Sequence, residues 1–254
     1  MVSVTRAGGS PGPGPGASGI LIALAAALAP AAAAAQPAPP DLLRAVAAQV
    51  FIVNPATAKN AVCQGYVAEV RPPNAYVATA KHCIADLSLR PLANGTPLTD
   101  YGVRVTVRFE RGPDAAMTAL VWNNSEDIAV VVAPFDPAVK PDSYAALCPA
   151  CKAARAAPPL RAVSWVFLTG DTLTPSLEAG TVIRGPGGRY VWEHACGAPG
   201  APVLDASSGD LIGLFSGANG YPGEPCGSET SIIAPGATVQ SVLATAIQGM
   251  AQGH

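Results

Sequence analysis

From residue 50 onward the chain alternates apolar and polar positions in short bursts. The clearest is "VRVTVRF" at 103–109, where Val103, Val105, Val107 and Phe109 are interleaved with polar side chains. A period of two predicts a strand with one buried face. Similar bursts predict strands over 50–53 ("VFIV"), 65–70 ("GYVAEV"), 75–80 ("AYVATA"), 119–122 ("ALVW") and 128–132 ("IAVVV"). After a stretch rich in Ala, Pro and Cys the rhythm returns over 162–168, 180–183, 189–193, 202–205, 211–216 and 231–234. Gly, Pro, Asn and Asp punctuate the gaps, and "DASSGD" at 205–210 reads as a hairpin turn. Many short strands with such turns predict an all-β barrel or sandwich. Two segments carry a helical period instead. "DLLRAVAAQ" at 41–49 puts Leu42, Leu43 and Val46 on one face, with Asp41 as its cap. "TVQSVLATAIQGM" aligns Val239, Val242, Leu243, Ala246, Ile247 and Met250, with Thr238 as its cap.

The N-terminal 35 residues follow a different logic. Arg6 lies in a Gly- and Pro-rich start, and "GILIALAAALAPAAAAA" at 19–35 is an apolar run closed by small residues. That order is the signature of a secretory signal peptide, with cleavage expected near Ala35. Pro30 and the weak membrane affinity of alanine argue against a permanent anchor. The expected organisation is a signal peptide over 1–35, a leader and short helix over 36–47, and a folded domain over 48–254, long enough for a sizeable core.

The 15 Lys and Arg against 17 Asp and Glu give a net charge of −2, and the basic residues are scattered. No basic face or polybasic patch points to nucleic acid or to an anionic membrane once the signal is removed. Export leads to an oxidising compartment, periplasm or medium, where the six cysteines (63, 83, 148, 151, 196 and 226) can form three disulfides. Spacing alone leaves their pairing open, and nothing in the pattern sets an oligomeric state.

Three stretches carry chemistry. In "YVATAKHCIAD" a strand ends and His82 follows, with Cys83 next to it. In "NNSEDIAVV" Asp127 directly precedes a run that reads as buried, a costly place for a carboxylate without a partner. The plainer reading of Asp127 is a turn cap before a strand. The third stretch is "CGAPGAPVLD" at 196–205.

In this order the three resemble the trypsin-like (chymotrypsin-fold) serine proteases, particularly the short secreted bacterial forms. "TAKHC" stands for the family's "TAAHC", "EDIAV" for "DIAL" or "DIAV", and "GAPGAPV" for "GDSGGPV" or "GNSGSPV". His82 precedes Asp127 by 45 residues, and Pro199 follows 72 later. The resemblance covers residue 48 to the C-terminal helix. It implies two antiparallel six-stranded β-barrels, at about 48–133 and 162–235, joined by a linker over 134–161 and followed by a helix over 238–250. It implies His82 and Asp127 as triad members, Ser216 of "GLFSG" as support for Asp127, and Gly197 as an oxyanion donor. It also implies His194, Ala195 and Gly217 beside the substrate pocket. A Cys63–Cys83 bridge would lie beside the histidine, and Cys196–Cys226 would tie the nucleophile loop to the pocket wall. Cys148 and Cys151 match no family bridge and are expected to form a small local disulfide. With no βαβ setting for redox chemistry and too few ligands for zinc, no cofactor or metal is expected.

The departure is Pro199, at the nucleophile's position. Proline has neither a hydroxyl nor a backbone N–H. By the family's geometry it removes the attacking oxygen together with one of two oxyanion donors, the other being Gly197. Loss of such a nucleophile costs on the order of 10⁶ in turnover, and loss of a donor roughly 10²–10³. Ala198 likewise replaces the acidic or amide residue usual before the serine. Ser207 and Ser208 fall in the hairpin turn, and Cys196 is expected to be bridged. The expected protein is an exported, catalytically inactive protease homologue that binds peptide or protein. Two alternatives stand: a serine- or cysteine-type endopeptidase with a non-standard nucleophile, and a structural secreted β domain whose cleft is filled.

Overall fold

The computed structural model describes residues 47–89, 91–92, 98–109, 114–135, 154, 157–167, 175–193, 198–218 and 231–252. All of them fall within a compact unit spanning 37–254. The predicted signal peptide, residues 36–46 and most of the predicted linker lie outside the described residues.

The N-terminal half is a curled antiparallel sheet. Its strands are β1 (Ala47–Asn54), β2 (Lys59–Arg71), β3 (Asn74–Thr79), β4 (Arg104–Phe109), β5 (Ala115–Ala116), β6 (Ala119–Trp122) and β7 (Ala129–Pro134), in the order β5-β4-β1-β2-β3-β7-β6. The C-terminal half is a closed six-stranded barrel. It is built from β8 (Leu160–Phe167), β9 (Pro175–Arg184), β10 (Tyr190–Glu193), β11 (Pro202–Asp205), β12 (Leu211–Ala218) and β13 (Ser231–Pro235), in the order β10-β13-β12-β11-β8-β9. Two helices are described, α1 (His82–Ala85) and α2 (Gly236–Ala251).

The expected all-β architecture of two antiparallel sheets and a C-terminal helix is what forms, with one difference in strand count. The N-terminal sheet has seven strands in an open order, where a six-stranded barrel was expected. Its two edge strands, β5 and β6, belong to one continuous segment. Between them the Met117 amide donates to Val105 O on β4 and the Thr118 amide to Val132 O on β7. A single barrel strand is thus split in two where it passes from one neighbour to the other.

Burial explains the patterns. In β4, Val105, Val107 and Phe109 are buried and the residues between them are not, as their alternation predicted. β7 buries Ala129 to Ala133 without a break, the signature of a strand covered on both faces. β1 is longer than expected at its N-terminal end. Ala47–Gln49 were read as the end of a helix, yet they pair as strand. Ala48 and Gln49 are bound on both sides, to β2 and to β4, and two hydrogen-bonded ladders outweigh the helical preference of alanine.

The α2 helix buries Val239, Val242, Leu243 and Ala246 against β12, β6 and β7. Thr238 does not cap it. Pro235 still pairs with Gly213 in the β13 ladder, so the backbone is extended through Pro235 and helical from Gly236.

Apolar packing is continuous from Ile52, Tyr66 and Val130 in the first sheet to Leu204, Leu214 and Phe215 in the second. Trp192 is fully buried, 5.3 Å from the Phe215 ring. Leu204 is also fully buried, on a strand bonded to both β8 and β12. Leu204→Ala should therefore lower the free energy of unfolding by about 2–5 kcal/mol, as read from a urea melt.

Candidate functional site

His82 owes its place to the end of β3. The strand stops at Thr79, and the chain turns at Lys81 into the single turn of α1, which His82 opens. Three anchors hold that turn. Cys83 is disulfide-bonded to Cys63 in β2, closing a loop across a sequence separation of 20. Asn54 Nδ2 donates to Leu87 O at 2.6 Å, and Lys81 Nζ donates to Asn123 O at 3.0 Å.

Asn123 also builds the opposing turn between β6 and β7. Its Oδ1 accepts from the amides of Ser125 (2.7 Å) and Glu126 (2.8 Å), and its own amide donates to Ile128 O. The turn cap is therefore Asn123, and Asp127 is left to face His82.

Asp127 accepts three hydrogen bonds. The His82 amide donates to Oδ1 at 2.7 Å, His82 Nδ1 to Oδ2 at 2.6 Å, and Ser216 Oγ to Oδ2 at 3.0 Å. A carboxylate acceptor fixes the proton of the neutral imidazole on Nδ1 and leaves Nε2 with its lone pair. Partial burial opposes the charged form of Asp127, but the bonds from His82 and Ser216 outweigh it and hold the carboxyl below the usual range. The same hydrogen bond to Asp127 raises the affinity of His82 for a proton, against the opposing effect of its own burial.

The third stretch is pinned between the two sheets. Pro199 O accepts from the Gln64 amide at 2.9 Å, next to Cys63. The Gly200 amide donates to Phe215 O at 2.8 Å, next to Ser216, and the Phe215 amide returns a bond to Ala201 O. A closed circuit results: Pro199 to Gln64, Cys63 to Cys83, His82 to Asp127, Ser216, and back through Phe215 to Gly200. Gly200 sits at φ +86°, and a Cβ there would collide with Gln64 O and lie 2.6 Å from Thr79 Oγ1. Thr79 Oγ1 itself donates to Gln64 O at 2.6 Å, so that carbonyl cannot readily yield.

His82, Asp127 and Ser216 are thus brought together, with the Pro199 turn bonded to the same framework. Gly217 lies in β12 opposite Ile232, at the ladder's irregularity. Gly197, His194, Ala195, Cys196, Cys226, Cys148 and Cys151 lie outside the described residues. Ser207 and Ser208 occupy the β11–β12 turn, where their amides and the Ser207 hydroxyl bond Asp205 Oδ1. Among the described residues no group of three His, Cys, Asp or Glu side chains could hold a metal ion. Reading the sequence missed Gln64, Thr79, Lys81 and Asn123. Of these only Asn123 carried a signal, since Asn ahead of Ser-Glu favours an Asx turn.

Two antiparallel sheets, a C-terminal helix and a His–Asp–Ser cluster between them define a chymotrypsin-like fold. Solved bacterial serine proteases share it. The protease Anisep from Arthrobacter nicotinovorans superposes with a TM-score of 0.52 at 17% identity, over 80% of this chain and 95% of its own. The thermostable serine protease AL20 from an extremophilic microorganism gives 0.53 at 14%, over 80% and 98%. The active form of the Rv3671c protease from M. tuberculosis gives 0.50 at 17%, over 81% and 82%. At such identities the likeness is one of fold. No family model matches the chain, and no curated protein matches it.

Two outcomes follow from this geometry. His82 binds its proton more tightly when folded, so its contribution to stability is full below about pH 6.5 and lost as pH rises through its raised pKa. Asp127 binds its proton less tightly, so its contribution is full above about pH 4 and lost as pH falls through its lowered pKa. The pair should stabilise most between about pH 4 and 6.5, and Asp127→Asn should flatten that maximum in thermal melts across pH. Separately, Gly200→Ala should destabilise by more than the roughly 1–3 kcal/mol of backbone strain alone, because the added methyl meets a bonded carbonyl. Chemical denaturation measures it.

Proposed function

We propose that this protein is an exported trypsin-like protease homologue that binds peptide or protein segments without cleaving them. One observation carries the reading. Pro199, which the motif resemblance aligns with the family's nucleophilic serine, sits in a turn bonded to Gln64 and, through Gly200, to Phe215. His82 and Asp127 are paired at 2.6 Å, so a base is available, but no hydroxyl at position 199 can give it a proton. The missing amide hydrogen of Pro199 also weakens any oxyanion site formed with Gly197. Support for the binding side of the reading is an open cavity beside Asp127 and Ser216.

Neither alternative has an observation of its own in its favour. Ser207 and Ser208, the first hydroxyls after Pro199 in the chain, belong to a turn tied to Asp205.

A serine-directed fluorophosphonate probe and a thiol-directed probe test the reading, applied to the natural protein and to Pro199→Ser. The natural protein should take up neither probe and should hydrolyse casein no faster than buffer. Pro199→Ser should gain fluorophosphonate labelling that a further His82→Ala change abolishes. Labelling of the natural protein that depends on His82 would overturn the inactive assignment.

A further inference from the structure

Beside Asp127 and Ser216 lies a half-open cavity of about 570 Å³. That volume falls in the range of small-ligand sites. Its floor is apolar, made by Ile232, Ile233 and Pro235 of β13. One wall is the β6–β7 turn with Glu126 and Asp127, and the other is the β9–β10 turn with Arg184, Arg189 and Tyr190.

The charges on the two walls are not equivalent. Asp127 is already committed to His82 and Ser216 through three hydrogen bonds. Among the described residues neither Arg184 nor Arg189 has a carboxylate partner. Arg184 lies 5.7 Å from the centre of the Tyr190 ring, which leaves its N–H edges open. Both arginines flank a tight turn in which Gly187 and Gly188 adopt φ +70° and +76°, and an added Cβ on either would meet no atom within 4 Å. Two guanidinium groups thus line the cavity, and among the described lining residues Glu126 is the acid that has no cationic partner.

We propose that this cavity is a carboxylate-selecting subsite, in which Arg184 and Arg189 hold an acidic group of a bound peptide. This rests on the peptide-binding reading above and adds a chemical class to it. A guanidinium presents paired donors that match both carboxylate oxygens, while Tyr190, Ile232 and Ile233 cover the methylenes that carry the acid. The carboxylate comes from a Glu or Asp side chain or from a free C-terminus; both offer the same planar acceptor. Glu126 opposes it from the other wall and limits affinity.

The test uses the full mature chain and fluorescein-labelled octapeptides of Ala, Val, Pro and Ser, read by fluorescence polarisation. One Glu is walked along the peptide, each position is compared with Gln, and each peptide is made with a free and an amidated C-terminus. At one register Glu, or the free terminus, should bind about five- to tenfold more tightly than its neutral counterpart, and the gain should shrink with added salt. The Arg184→Gln/Arg189→Gln double variant should lose that preference while still binding the neutral peptides, and Glu126→Gln should increase it. Both arginines are exposed, so far-UV circular dichroism should show an unchanged fold. Equal binding of acidic and neutral peptides by the natural protein would overturn the subsite and leave peptide binding standing. A preference that survives in the double variant would also overturn it. Failure of every peptide to bind would remove the peptide-binding reading and the subsite with it.

Discussion

The carboxylate of Asp127 joins the two sheets through charged hydrogen bonds. It leads into β7 of the first sheet and accepts hydrogen bonds from His82, beside β3, and from Ser216, on β12 of the second barrel. A half-buried carboxylate in such a place is unfavourable unless its acceptor sites are filled, and here the donors come from both halves of the chain. Much of the surrounding geometry serves that arrangement. Asn123 caps the turn so that Asp127 need not, Lys81 holds the two turns together, and the Cys63–Cys83 bridge sets α1 against β2.

That framework accommodates a proline at 199. The bonds that fasten its turn use the carbonyl of Pro199 and the amide of Gly200, and none needs the amide of residue 199. A proline there costs the fold no ladder bond. On the proposed reading residue 199 holds the nucleophile's position, where the amide would face the oxyanion, so a proline that the turn accommodates would be severe for acyl transfer. On that reading, fold and chemistry are separable at this position because they draw on different atoms of the same residue.

Much of the fold was legible in the sequence because alternation records burial directly. Val105, Val107 and Phe109 are buried while their neighbours are not, and the β11 segment "PVLD" lies where its pattern put it. Errors fell where a neighbour decides the outcome. Ala47–Gln49 look helical in isolation and become strand only because β2 and β4 both bind there. Thr238 looks like a cap until the β13 ladder is seen to extend through Pro235. The split of one barrel strand into β5 and β6 depends on amides of Met117 and Thr118 choosing different partners, which no residue pattern encodes. For the site, His82, Asp127 and Ser216 were readable through motif order. Gln64 was not, since it acts through backbone carbonyl and amide groups that any residue could supply, and neither was Thr79, whose hydroxyl finds its partner only when β2 and β3 pair.

The presence of a His–Asp–Ser cluster is weak evidence for catalysis in this molecule. Hydrogen bonds to a charged group contribute on the order of 1.5–3 kcal/mol each when well formed, against a total stability of about 5–15 kcal/mol for a domain. Even discounted for the partial exposure of His82, three such bonds, one of them across the sheet junction, are a sufficient structural reason for the cluster. A fold that needs the Asp127 junction will hold His82 in the geometry of a general base whether or not there is a hydroxyl for it to activate. On the proposed reading, what distinguishes an enzyme from a binding protein on this scaffold is therefore residue 199, whose side chain decides the chemistry while the fold's hydrogen bonds use only its carbonyl.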